Sequence, residues 1–170
     1  MTPLVSIIMG STSDWSVMEK AAKQLNEFKI PFEVNALSAH RTPELVEEFA
    51  SGAQKRGIKV IIAGAGGAAH LPGVIAAFTT LPVIGVPCRS AISIDGWDSV
   101  LSILQMPPGI PVATVGLDAS QNAAILATQI LSIGNSSIAE KFSQFKTNLK
   151  KKIKEANDEF SKISFEFKTN

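Results

Sequence analysis

Val60-Ile61-Ile62-Ala63-Gly64-Ala65-Gly66-Gly67-Ala68-Ala69-His70-Leu71-Pro72-Gly73 passes from an unbroken apolar run, through a stretch almost free of side chains, to a proline suited to a helix start. A strand with one wet face alternates apolar and polar residues, whereas an unbroken run is buried on both faces, as in a parallel sheet covered by helices. Four other runs rich in Val, Ile and Ala stand between Gly, Pro and Ser clusters: Leu4 to Met9, Phe32 to Ala36, Val83 to Val86 and Val112 to Val115. Together they read as five buried strands.

Helical patterns separate them. Val17, Ala21, Leu25 and Phe28 share one face of the first, and Ser16 with Glu19 has capping-box spacing. The second pairs Thr42 as N-cap and Pro43 at its first position with a stop at Gly57. Others start near Pro72, Trp97 and Asn122. Alternation of this kind predicts a three-layer, doubly wound α/β fold with a parallel sheet in the flavodoxin-like order 2-1-3-4-5. The loops after strands 1, 2 and 3 then emerge on one edge and converge beside strand 1. After Gly134, Ile138, Phe142, Phe145, Leu149, Ile153, Ala156, Phe160 and Ile163 recur at spacings of three and four. The expected organisation is a catalytic α/β domain over 1–134 and an amphipathic helix over 135–170. That helix packs either on the same domain or on a neighbouring subunit.

Composition limits the function. Met1 to Ser136 hold eight Lys and Arg against ten Asp and Glu, and the remaining residues eight against five, so the body lacks the basic stripe of a DNA or RNA binder. No segment offers the roughly 20 apolar residues of a membrane span, and no positive leader opens the sequence. The single Cys88 cannot form an internal disulfide and suits a reducing compartment, so a cytoplasmic location is expected.

The first loop, Gly10-Ser11-Thr12-Ser13-Asp14, offers hydroxyls and a helix N-terminus directly after a strand, an arrangement suited to phosphate. Asp14 suits ribose hydroxyls; Ser13 or Asp14 serving only as a helix cap is the alternative. The second loop, Ser38-Ala39-His40-Arg41-Thr42-Pro43, sets a proton-transfer group beside a fixed cation that can grip phosphate through two parallel hydrogen bonds. In the third loop bare backbone can approach a ligand closely. Gly64, Gly66 and Ala69 match a dinucleotide fingerprint only loosely, and Val83 to Ile94 supply no acidic partner, so a nicotinamide cofactor is not expected. The two histidines and single cysteine make a poor metal site, and neither a P-loop lysine nor a nucleophile elbow occurs. What remains is acid/base work by His40 without cofactor or metal; a non-catalytic module binding a nucleotide or phosphate is the rival.

Gly10 to Asp14, Ser38 to Pro43, Ala63 to Gly73, Gly85-Val86-Pro87, and Asp98-Ser99 through Gln105-Met106-Pro107-Pro108-Gly109-Ile110-Pro111-Val112 together resemble the PurE family, N5-carboxyaminoimidazole ribonucleotide mutase, over about residues 4 to 133. The resemblance implies isomerisation of N5-carboxyaminoimidazole ribonucleotide to 4-carboxy-5-aminoimidazole ribonucleotide in purine biosynthesis, without ATP or metal. It implies that Ser11 and Arg41 hold the 5′-phosphate end, Asp14 the ribose, and that His40 is the acid and then the base. It places Ser38 and His70 in the substrate pocket, although a helix-start residue with one structural hydrogen bond is an equal reading of His70. Ala68-Ala69-His70-Leu71-Pro72-Gly73 is similar to the mutase class and unlike the sister class that carboxylates aminoimidazole ribonucleotide directly. A homo-octamer is implied too, with the Gln105 to Gly109 loop near the site across a subunit boundary. The Ser90 to Trp97 loop and the lysine-rich tail are longer than the family pattern.

Overall fold

The computed structural model describes Met1–Asn170. Its five strands are β1 (Val5–Met9), β2 (Phe32–Ala36), β3 (Val60–Gly66), β4 (Val83–Cys88) and β5 (Ala113–Thr114). All pair in parallel, in the order β2-β1-β3-β4-β5. The helices are α1 (Trp15–Glu27), α2 (Pro43–Gly52), α3 (Leu71–Phe78), α4 (Trp97–Leu104), α5 (Ser120–Ser132) and α6 (Ser136–Ser161).

Strand periodicity explains the three layers, because successive side chains point to opposite faces. Val5, Ile7, Met9, Val60 and Ile62 pack with Met18, Ala21 and Leu25 of α1 and Ala123, Ala124 and Ala127 of α5. Ile8, Ile61 and Ala63 face the other way, onto Val46, Phe49 and Ala50 of α2, Ile75 of α3 and Ile103 of α4. Register places Ile7 between Val34 and Ile62, and Ile62 beside Ile84, so β1 and β3 form the buried centre. Apart from Ser6 both strands lack polar side chains, because neither has a wet face. β2 lies at the sheet edge, and its Glu33 accepts from Ser6 Oγ at 3.0 Å and pairs with Arg56 at 3.3 Å.

Helix boundaries differ from the sequence reading where loop chemistry intervenes. The expected Ser16–Glu19 capping box does not form. A 3-10 turn at Thr12–Asp14 starts the helical path early, Ser11 caps it by accepting from Ser13 N–H at 3.3 Å, and Ser16 therefore lies inside α1. Glu19 instead pairs with Lys23 at 2.9 Å. Regular α2 ends at Gly52. The chain keeps turning to Gly57, whose φ of 96° lets Ile58 N–H reach back to Ala53 O at 3.2 Å. This is a Schellman-type stop at the predicted glycine.

α6 divides into two parts. Asn135 caps it through Ile138 N–H at 3.1 Å, and Phe142 and Phe145 pack on Phe28, with ring centroids 6.4 and 5.1 Å away. Farther along, Leu149, Ile153 and Phe160 are 42%, 67% and 61% exposed. Helix ends at Ser161, so Ile163 lies beyond the predicted apolar face. No helix is long and apolar enough to cross a membrane.

Candidate active site

Parallel strands deliver four loops to the carboxyl edge of the sheet, and these enclose a cavity of about 560 Å³. Its lining includes every site residue expected from sequence: Ser11, Asp14, Ser38, His40, Arg41 and His70. The fourth loop, after β4, adds Arg89, Ser90, Ala91 and Ile92, which were not anticipated. Strand direction is the signal that finds them, since β4 runs parallel to β3 and so opens its loop on the same edge. By contrast, the loop from Gln105 to Gly109 does not line the cavity within one chain; Met106 lies instead against Gly73, where a Cβ would come 2.7 Å from its sulfur.

The second loop is tied by its own side chains. Thr42 holds the N-cap position, but its hydroxyl turns back to accept from Ser38 N–H at 3.0 Å and donate to Ser38 O at 3.1 Å. Ser38 Oγ accepts from Arg41 N–H and Nε–H, both at 3.3 Å. Arg41 Nη2 donates to Gly10 O at 3.0 Å. The guanidinium is thus tethered to two loops, and its other N–H donors remain for a ligand. Ser11 is both a cap and a cavity hydroxyl, and Ser13 Oγ donates to it at 3.0 Å. The capping hydroxyl of this loop is therefore that of Ser11 and not of Ser13 or Asp14.

Asp14 is only 7% exposed, and burial raises its carboxyl pKa above the ordinary value of 3.8, with a hydrogen bond to the Ser11 backbone acting in the opposite sense. A desolvated carboxylate at a cavity wall has much to gain from ligand hydroxyl donors. Under the same wall, burial first and then the Asp14 and Asp118 carboxylates push the Cys88 thiol up to about 12. Its Sγ donates weakly to Val86 O at 3.5 Å, so Cys88 is an apolar filler and not a nucleophile.

His40 and His70 come from different loops and meet. Their Nε2 and Nδ1 atoms are 2.7 Å apart, and the rings stand edge to face with centroids at 4.9 Å. One nitrogen must donate and the other accept, so the pair holds a single N–H between them. His70 occupies the N-cap position of α3 but makes no side-chain cap bond. The structural alternative for His70, a helix-start bond, is therefore not what its ring does. Both histidines remain exposed in the single chain while lining the cavity.

The profile of the AIR carboxylase family matches residues 4–152. The chain belongs to the AIR carboxylase family. Among relatives, a Pyrococcus abyssi protein named N5-carboxyaminoimidazole ribonucleotide mutase is 58% identical over 149 residues, covering 88% of this chain and 85% of that protein. A Schizosaccharomyces pombe protein named phosphoribosylaminoimidazole carboxylase is 51% identical over 164 residues, 96% of this chain but 30% of that longer protein. The crystal structure of Treponema denticola PurE superposes with a TM-score of 0.82 at 34% identity, covering 92% of this chain and 98% of that one. The Treponema denticola protein thus shares the fold of this chain.

Proposed function

We propose that this chain converts N5-carboxyaminoimidazole ribonucleotide to 4-carboxy-5-aminoimidazole ribonucleotide, a step of purine biosynthesis, with no cofactor or metal. The observation that carries this reading is the hydrogen-bonded His40–His70 pair in a cavity that Ser11, Asp14 and Arg41 also line. High identity to proteins named for that mutase supports it.

Ser11 and Arg41 bind the 5′-phosphate, and Asp14 accepts from the ribose. The carbamate N–C bond then breaks, its electron pair passes to N5, and His40 delivers a proton there as carbon dioxide forms. C4 of the ring attacks the same carbon dioxide, a new C–C bond forms, and the C4 proton returns to His40. Atoms and charge balance across the two steps, so neither oxidant nor nucleotide hydrolysis is needed. One group serves as acid and then base, a task suited to imidazole. Ser38 positions the neighbouring Arg41, and His70 holds the His40 ring.

In the assembly we envisage, a homo-octamer in the cytoplasm, the 1–134 unit carries the chemistry. The 135–170 segment packs through its first half on its own domain and through its second half on a neighbouring subunit. Exposed Leu149, Ile153 and Phe160 and the exposed histidines of the cavity support that assembly.

Direct carboxylation of aminoimidazole ribonucleotide is the second reading, favoured by the name of the Schizosaccharomyces pombe relative. The deciding experiment offers the protein either the N5-carboxylated ribonucleotide or aminoimidazole ribonucleotide at low bicarbonate, without ATP and metal. Turnover of the first alone is expected. Turnover of the second alone establishes the carboxylase, and turnover of neither defeats both.

A further inference from the structure

Ser90 Oγ is a buried side-chain oxygen with no hydrogen-bond partner, the sole buried side-chain polar atom so placed. An unsatisfied buried hydroxyl is costly, and native structures rarely keep one without use. Here the backbone leaves it little freedom. Arg89 N–H donates to Asp118 Oδ1 at 2.9 Å on one side, and Ser93 N–H donates to Ser90 O at 3.0 Å on the other. The residue lines the cavity that holds His40 and His70.

Gly66 lets the backbone of β3 pack closely on it. A Cβ there would come 2.9 Å from Ser90 Cβ, 3.2 Å from Ser90 Oγ and 2.8 Å from Cys88 O. Gly66 ends β3 four residues before His70, and Ser90 follows β4, so the hydroxyl belongs to the wall that the loops after β3 and β4 give to the cavity shared with His40 and His70. The guanidinium of Arg41 stands on the side contributed by the loops after β1 and β2.

We infer that Ser90 Oγ holds the migrating carboxyl group of the substrate, first as carbamate and then as carbon dioxide, between its departure from N5 and its arrival at C4. The inference rests on the isomerase reading above. A neutral donor fits that task for an electrostatic reason. The carboxylate loses its charge as carbon dioxide forms, so a cation at this position would favour the ground state over the transition state, whereas a hydroxyl discriminates less. Arg89, the cation adjacent in sequence, is paired with Asp95 at 3.7 Å.

Substrate carrying ¹³C in the carboxyl group, turned over in unlabelled bicarbonate, tests this. Wild type is expected to retain the label in the product. Ser90→Ala is expected to lose label to the medium and slow about tenfold in kcat, the effect of one hydrogen bond, with KM nearly unchanged. Its Tm should not fall, because the variant removes an unsatisfied hydroxyl. Full retention at wild-type kcat overturns the assignment. So does a raised KM with full retention, which marks a contact to the ribose or phosphate, and so does a large drop in Tm, which marks a structural role. A wild-type protein that makes no product overturns the isomerase reading and this inference with it; an unaltered Ser90→Ala beside an active wild type overturns Ser90 alone.

Discussion

His40 Nε2 and His70 Nδ1 share one hydrogen at 2.7 Å although 30 residues separate them in the chain. A hydrogen bond to a group that becomes charged contributes about 1.5–3 kcal/mol, or about ten- to a hundredfold in rate. His70→Asn is therefore expected to lower kcat by that range and to move the pH profile, while ligand affinity stays within a few-fold. Steady-state kinetics across pH check this; an unmoved profile would leave His70 without a positioning role.

His40→Asn removes the imidazole proposed to move the proton and leaves Ser11, Asp14 and Arg41 in place. Loss of about 10²-fold or more in kcat is expected, with binding of the phosphorylated ligand retained. Calorimetric titration beside the turnover assay separates the two effects.

Arg41→Ala cuts the tethers to Ser38 and Gly10 together with the charge. Affinity for the ribonucleotide should drop about ten- to a hundredfold, the value of a charge-assisted contact. Arg41→Lys should recover only part of it, since a lysine cannot form the two-point contact. Equal affinity in wild type and Arg41→Ala would remove Arg41 from phosphate binding.

Asp14 gives a stability prediction with a definite sign. Burial raises its folded-state pKa, so the folded chain binds that proton more tightly than the unfolded chain, whose value is near 3.8. The associated stability is present below that value and is lost as pH rises through the folded-state value, leaving a desolvated carboxylate at neutral pH. Asp14→Asn should raise Tm at pH 7 and weaken ligand binding about tenfold. The gain in Tm should vanish below about pH 4, which thermal melts across pH will show.

Cys88 should resist thiol reagents. With its pKa pushed up to about 12 and its side chain fully buried, the native chain should show no modification at pH 8, and full modification once denatured. Rapid labelling of the native protein would mean that β4 opens readily.

The alternation of five apolar runs with helix patterns made the layer order legible, because strand burial is local chemistry: Val60 to Ala63 can be covered on both faces only in a sheet of this kind. Glycine and proline punctuation likewise announced Pro43, Gly57 and Pro72. The sites at which the reading failed are those at which a side chain had two competing partners. Ser11 took the cap expected of Ser16 because a 3-10 turn starts the helical path directly after it. Thr42 gave up its capping bond to close the loop under His40.

By itself the sequence specified the strand order that brings the loops carrying His40, Arg41, Ser11 and Asp14 to one edge, since residue type and period along one dimension carry it. Only tertiary structure decided that His70 turns its ring to His40 instead of capping α3, that the loop after β4 joins the cavity, and that Ser90 Oγ is left without a partner. Those outcomes depend on distances between residues remote in the chain, set by how the two buried faces of the sheet pack, and no local pattern encodes a distance across a fold.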